Sequence, residues 1–206
     1  IGYENMPSLI AYAQSKGVDV LLWYNSNGSC NDAPQGPKHR LDSAPARQKE
    51  MAWMKALGVK GIKVDFFGGD KQATMKLYED ILTDANQYGI AVVFHGCTLP
   101  RGWERMYPNH MSSEAALVSE NLVFGQYHAD KEAQRSTLYP FIRNAVSAMD
   151  FGGVFFNKHF SKDGVSGTLR KTTDAFQIAT SVLYQSGIQH FGITPNNLTE
   201  QPEFIL

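Results

Sequence analysis

The side chains equipped to do chemistry sit at the ends of short apolar runs. In Ile62-Lys63-Val64-Asp65-Phe66-Phe67 the lysine and the aspartate are two apart, so on a strand they point to the same face. A charged pair on a buried face is costly to desolvate. Two readings of it stand, a structural ion pair or groups held for a reaction. A buried lysine also suits Schiff-base chemistry of the aldolase kind. His95 ends the run Ile90-Ala91-Val92-Val93-Phe94-His95 and is followed by Gly96 and Cys97. Residues 95 and 97 on one strand point the same way without facing each other, so the pair does not read as a thiol nucleophile with its base. His95 reads as a rim histidine or a substrate contact.

Two further carboxylates, Glu114 and Glu120, lie in Ser112-Ser113-Glu114-Ala115-Ala116-Leu117-Val118-Ser119-Glu120-Asn121. Hydrolysis of a glycosidic bond needs two carboxyl groups, one to attack or to activate water and one to protonate the departing oxygen. Carboxylates also gather a hard cation such as Ca²⁺, which takes about six to eight oxygen ligands. On a surface helix the same two glutamates are solvated charges. The loop Leu99-Pro100-Arg101-Gly102-Trp103-Glu104-Arg105 follows a strand end, and Trp103 there offers a flat apolar face to a sugar. Trp53, on a helical stretch, reads as packing. Asp150-Phe151-Gly152 spells a kinase tripeptide, but the glycine-rich loop and His-Arg-Asp segment of a kinase do not accompany it.

These groups are positioned by a recurring unit: an amphipathic stretch, a glycine, then an apolar run. Its copies are Leu9 to Lys16, Gly17 and Val18 to Tyr24; Gln48 to Leu57, Gly58 and Ile62 to Phe67; and Met75 to Tyr88, Gly89 and Ile90 to His95. A fainter copy runs from Thr173 to Ser186, Gly187 and Ile188 to Phe191. A helix that stops on a left-handed glycine and is followed at once by a strand gives this pattern. Near-continuous apolar strands belong to a parallel sheet covered by helices. Alternation of this kind leaves the (β/α)8 barrel and the open doubly wound sheet, and the missing dinucleotide fingerprint and Walker A loop favour the barrel. Barrel chemistry sits at the C-terminal strand ends, which here carry Asn25, Asp65 and His95.

The chain has 206 residues with 19 basic and 20 acidic side chains, a net charge of −1 and no basic run, which argues against a nucleic-acid partner. No apolar stretch approaches the roughly 18 residues of a membrane span. Charged residues make up 19%, below the roughly 25% of an average domain, as expected if further chain covers part of the surface. Cys30 and Cys97 are read as thiols, and Asn27-Gly28-Ser29 and Asn197-Leu198-Thr199 fit the glycosylation sequon. The chain opens at Ile1 with no charged and apolar leader pattern after it, so any signal segment or upstream domain is expected to lie before Ile1, and only about six strand–helix units are counted where a whole barrel takes about 250 residues. The expectation is therefore an α/β fold, an incomplete (β/α)8 TIM-type barrel whose first strands lie before Ile1, with residues 1–206 forming part of a single catalytic domain.

The sequence resembles glycoside hydrolase family 97. The resemblance runs through Leu21 to Asn25, Lys63 to Gly68, His95-Gly96, Leu99 to Asn109, Ser113-Glu114 through Glu120, Tyr139 to Arg143 and Met149-Asp150-Phe151. It implies α-glucosidase or α-galactosidase activity on a (β/α)8 barrel with flanking β-rich domains of the same polypeptide. Inverting members carry a base glutamate directly after the strand-end histidine, where this chain has Gly96, and lack a carboxylate at the position of Asp65. The resemblance thus implies a retaining, exo-acting enzyme, an α-galactosidase before an α-glucosidase. Asp65 would be its nucleophile and Glu120 its acid/base. It further implies Ca²⁺ bound by Glu114 and Glu120 with other ligands from an N-terminal domain, and a sugar pocket lined by Lys63, His95, Arg101 and Trp103. The implied substrate is an α-linked oligosaccharide or galactoside, and the implied location is periplasmic or secreted. A non-catalytic fragment that keeps the fold's residues is the remaining alternative.

Overall fold

The computed structural model describes residues 2–27 and 31–200, and the chain divides into two compact units, Ile1–Ser113 and Glu114–Leu206. Cys30 and part of the first sequon lie outside the described residues.

The first unit alternates helix and strand: α1 (Met6–Ser15), β1 (Leu21–Asn25), α2 (Ala44–Ala56), β2 (Gly61–Asp65), α3 (Gln72–Tyr88), β3 (Ala91–Phe94) and β4 (His110–Ser113). The four strands form one parallel sheet in the order β1-β2-β3-β4. Each of the three helices stops as the recurring glycine requires. Gly17, Gly58 and Gly89 hold φ of +73°, +75° and +71°, and the next residue's N–H returns to the last turn: Val18 to Ala13 O at 3.0 Å, Val59 to Met54 O at 3.0 Å and Ile90 to Ala85 O at 2.9 Å. This closes the helix's last carbonyls and aims the chain straight into the next strand.

Register sorts the sheet into two faces. Leu22, Ile62 and Val92 are aligned, as are Tyr24, Val64 and Phe94. This face packs with Met51 and Met54 of α2 and Leu77, Tyr78, Ile81 and Leu82 of α3. Burying each aliphatic side chain there contributes about 1.5–3 kcal/mol. Arg47 of α2 is buried among them; its Nε donates to Asp84 Oδ2 of α3 at 2.8 Å and its Nη1 to Leu41 O at 2.9 Å, tying the two helices. The opposite face carries Trp23, Lys63 and Val93 in one row, with Asn25 and Asp65 in the next.

The second unit is built differently. A short 3₁₀ turn (Ser119–Phe124) leads into α4 (Gln126–Ile142), followed by β5 (Gly153–Val154), β6 (His159–Phe160), β7 (Thr168–Leu169), α5 (Asp174–Leu183), β8 (His190–Phe191) and α6 (Asn197–Glu200). β5 and β8 pair in parallel, β6 and β7 as an antiparallel hairpin. Polar side chains replace the long ladders. Glu132 of α4 is buried and accepts from Thr172 Oγ1 at 2.7 Å and Gln177 Nε2 at 2.8 Å. Arg170, also buried, donates to the carbonyls of Phe156 and Asn157 and pairs with Asp174. Phe151 stacks on Tyr184 with centroids 4.2 Å apart.

The α/β class and the parallel order of β1 to β3 follow the sequence pattern, β4 adds a parallel strand that the pattern did not mark, and the parallel pairing of β5 with β8 across α5 extends it. The fainter copy of the recurring unit keeps its helix and its strand but not its cap: α5 ends at Leu183, with Tyr184 already extended at φ −90°, ψ 113°, and β8 follows at His190–Phe191. Gly187 therefore stands beyond the helix and does not cap it. The second sequon is unsuited to modification, because Asn197 is fully buried and its Nδ2 donates to Asn157 Oδ1 at 2.7 Å. No described helix is long and apolar enough to cross a membrane.

Candidate active site

Asp65 closes β2 and is 9% exposed. Its Oδ1 accepts the N–H of Phe66 at 2.8 Å, and its Oδ2 accepts the indole N–H of Trp23 at 3.2 Å. The two donors fix the plane of the carboxyl group. Phe66 is then forced into the left-handed region at φ +63°, a conformation costing about 1–3 kcal/mol in a bulky residue and common where a site is held under strain. Three bonds hold it there: Ser26 N to Asp65 O at 2.8 Å, Ser26 Oγ to Phe66 O at 2.8 Å and Phe67 N to Gly96 O at 2.9 Å. Asn25, fully buried at the end of β1, holds the adjoining loop by donating to Gln35 O at 2.8 Å and accepting from Asn27 N at 2.9 Å.

Gly96 is the third wall of this seat. It sits at φ +47°, and a Cβ on it would lie 2.7 Å from Asp65 Oδ1 and 2.9 Å from Phe66 N. A side chain at 96 and the carboxylate at 65 in its present place exclude each other. His95, 1% exposed, continues β3 by donating its N–H to Val64 O at 2.9 Å. Lys63 is half-buried on the face that bears Asp65. Cys97 Sγ turns back to Phe94 O at 3.6 Å.

One expected contact is placed elsewhere. Trp103 is 3% exposed in the helix-side core, stacked on Tyr78 at 4.7 Å with Phe94 at 6.1 Å. Its loop folds back over the apolar side of the sheet, because burying the indole there is worth more than leaving it at the rim. It offers no face to a sugar. Arg101 is exposed and its Nη1 donates to Leu99 O and Pro100 O of its own loop. Trp23, by contrast, holds Asp65 and was given no role by the sequence. The signal was its alternation: it lies two before Asn25 on the same face, in register with Lys63.

In the second unit Glu114 is 8% exposed and lies outside any helix, and Glu120 is half-buried as the second residue of the 3₁₀ turn. Ala115, after Glu114, is left-handed at φ +49°, as Phe66 is after Asp65. The buried Arg143 donates Nε to Glu114 O at 3.1 Å and so fixes that bend. The two glutamates offer carboxylate oxygens within 4.8 Å of each other. Two hard anionic donors this close suit a hard cation bound through oxygen.

A parallel α/β sheet with a seated, buried carboxylate at a strand's C-terminal end is the arrangement of an enzyme that works through carboxylates. The comparisons name a family. The family model for Glycoside hydrolase 97 matches residues 2–116, and the chain belongs to that family. A probable retaining alpha-galactosidase of Streptomyces bingchenggensis is 32% identical over 96% of this chain and 27% of its own length. A retaining alpha-galactosidase of Bacteroides thetaiotaomicron is 26% identical over 97% of this chain and 28% of its own. The crystal structure of a beta-arabinopyranosidase superposes with a TM-score of 0.95 at 58% identity, covering 98% of this chain and 32% of that one. The chain thus spans little more than a quarter of the curated relatives it matches.

Proposed function

We propose that the chain is the site-bearing part of a (β/α)8 barrel domain in a retaining, exo-acting glycoside hydrolase for α-galactosides. The observation that carries this reading is the seat of Asp65: a carboxylate fixed by Trp23 and Phe66 in space that only a glycine at 96 leaves open. A base at 96 would serve inversion, and this packing has no room for one while Asp65 is in place.

In the proposed reaction Asp65 attacks the anomeric carbon and the glycosidic C–O bond breaks as the ester forms. Glu120 gives its proton to the departing oxygen, then takes one from the water that cleaves the ester, restoring both groups and the starting anomeric configuration. Lys63 and His95 would contact the sugar's hydroxyls. Glu114 and Glu120 would hold Ca²⁺, with further ligands from flanking domains of the same polypeptide; when bound, the ion would polarise groups at the sugar.

One observation favours a second substrate, the 58% identity to a beta-arabinopyranosidase. A β-L-arabinopyranoside has the ring hydroxyl arrangement of an α-D-galactopyranoside, with hydrogen in place of the hydroxymethyl group, so the same machinery serves both. The deciding experiment uses the full-length protein on p-nitrophenyl α-D-galactoside, α-D-glucoside and β-L-arabinopyranoside, with and without a calcium chelator, while NMR follows the first-formed anomer. Turnover of the galactoside with retained configuration and loss on chelation is expected. An inverted product overturns the roles of Asp65 and Glu120, and preference for the arabinopyranoside moves the substrate to the second reading.

A further inference from the structure

The segment Asp150-Phe151-Gly152, set aside as a kinase look-alike, has a structural task in the second unit. The turn that bears Glu120 is seated on it. Ser119 N donates to Phe151 O at 2.9 Å, and Ser119 Oγ lies 3.0 Å from Phe151 O and 2.6 Å from Gly153 O. Gly152 is left-handed at φ +86°, and a Cβ there would meet Ser119 Oγ at 2.8 Å and Glu120 N at 3.1 Å. The backbone of Glu120 therefore rests against a bend that only glycine makes without strain.

That bend is held in turn by Asp150. Its carboxylate is 2% exposed, and Oδ1 accepts both the N–H of Gly152 at 2.8 Å and Nδ1 of His190 at 3.0 Å. His190 opens β8, in register with Gly153 of β5, so the imidazole anchors the carboxylate to a paired strand. Phe151 is fixed on the other side by its stack on Tyr184, whose hydroxyl donates to Ser136 O of α4 at 2.6 Å. A buried carboxylate spent on a turn is costly unless the turn must be exact.

We infer that Asp150 is a positioning residue for Glu120: with His190 behind it, it pins the Gly152 bend that sets where the Glu120 carboxyl stands. This rests on the reading of Glu120 as the acid/base. Misplacing an acid costs most where the leaving group needs a proton, whereas a weakly basic aglycone departs without one.

The test uses the full-length enzyme and kcat/KM, which reports the first chemical step, on the methyl and the 2,4-dinitrophenyl glycoside of the sugar it turns over. Asp150→Ala is expected to lower the value about 100-fold on the methyl glycoside and less than about 3-fold on the dinitrophenyl one. Asp150→Asn, whose amide oxygen still accepts from Gly152 N, should restore the methyl substrate to within about 3-fold of the parent. If Asp150→Ala does not fold, Ser119→Ala loosens the same joint and should show the same selectivity, about 10-fold. Glu120→Ala provides the reference. Should it be selective while the Asp150 and Ser119 variants lose equally on both substrates, or on neither, the positioning role is wrong. Should Glu120→Ala itself show no selectivity, the acid/base reading fails and this inference with it.

Discussion

Residues 2–113 and 114–200 solve the same problem, holding carboxylates still, by opposite means. In the first region backbone ladders do the work: Asp65 is where it is because β2 lies between β1 and β3, and the fit at its end depends on Gly96 having no side chain. In the second the strands are two residues long. Buried side chains take over there, with Glu132, Thr172 and Gln177 in one network and Asp150 with His190 in another. Ladder bonds run between backbone groups, so they survive a change of side chain except at the few points of closest approach. Networks tolerate little change in any polar member, since each deletion leaves a buried partner unsatisfied.

The sharpest way to break the comparison is at Asp65. Asp65→Gly in the full-length enzyme removes the attacking group, and kcat/KM should fall at least about 10⁴-fold. Added azide should restore turnover and yield a glycosyl azide of inverted configuration. Absence of rescue, with the fold intact by circular dichroism, removes Asp65 from the nucleophile's role. Gly96→Ala tests the ladder's close approach without touching a chemical group. Its methyl would stand 2.7 Å from Asp65 Oδ1, and a displacement of about 1 Å at a reacting group costs about 100-fold. A variant within a few-fold of the parent would show that the seat is not as tight as its distances.

The same division decided what could be read from the sequence. In the first region period and punctuation coincide: Gly17, Gly58 and Gly89 end helices, the following apolar runs are strands, and Lys63 and Asp65 fall on one face as alternation requires. β4 escaped because His110-Met111-Ser112-Ser113 is mostly polar; its backbone completes a sheet, while His110 Nε2 meets Ser113 Oγ at 3.0 Å. Trp103 was misplaced because a loop's path over the core leaves no periodic trace. In the second region α4 has only a faint apolar stripe, since it buries Ala129, Glu132 and Ser136. Buried glutamate and serine do not announce a core, and the pairing of the Asp150 carboxylate with a histidine forty residues away has no local signature.

A smaller effect sharpens the account of the network. Burial pushes the Glu132 carboxyl above its ordinary range, against the opposing pull of Gln177, Thr172 and Arg170. With the folded-state value raised, the folded protein holds more protons than the unfolded chain between about pH 4.3 and that raised value, so stability falls as pH rises through this interval. One such group gives a slope of at most about 1.4 kcal/mol per pH unit. Glu132→Gln should flatten that part of a urea-denaturation profile measured against pH. An unchanged slope would assign the titration to another group.

The smallest expected effect lies in the ladder region, at the helix stops. Gly89 has φ +71° and open space where a Cβ would go, so Gly89→Ala adds no clash and charges only the left-handed backbone, about 1–2 kcal/mol. Gly17 stands in the same situation at φ +73°, and the two substitutions should add, as distant sites do. Asparagine tolerates the left-handed region better than alanine, so Gly89→Asn should recover part of the loss in a thermal melt. Equal melting temperatures for the Ala and Asn variants would mean that the cost comes from something other than backbone conformation. The recurring glycines would then be incidental to where these helices end.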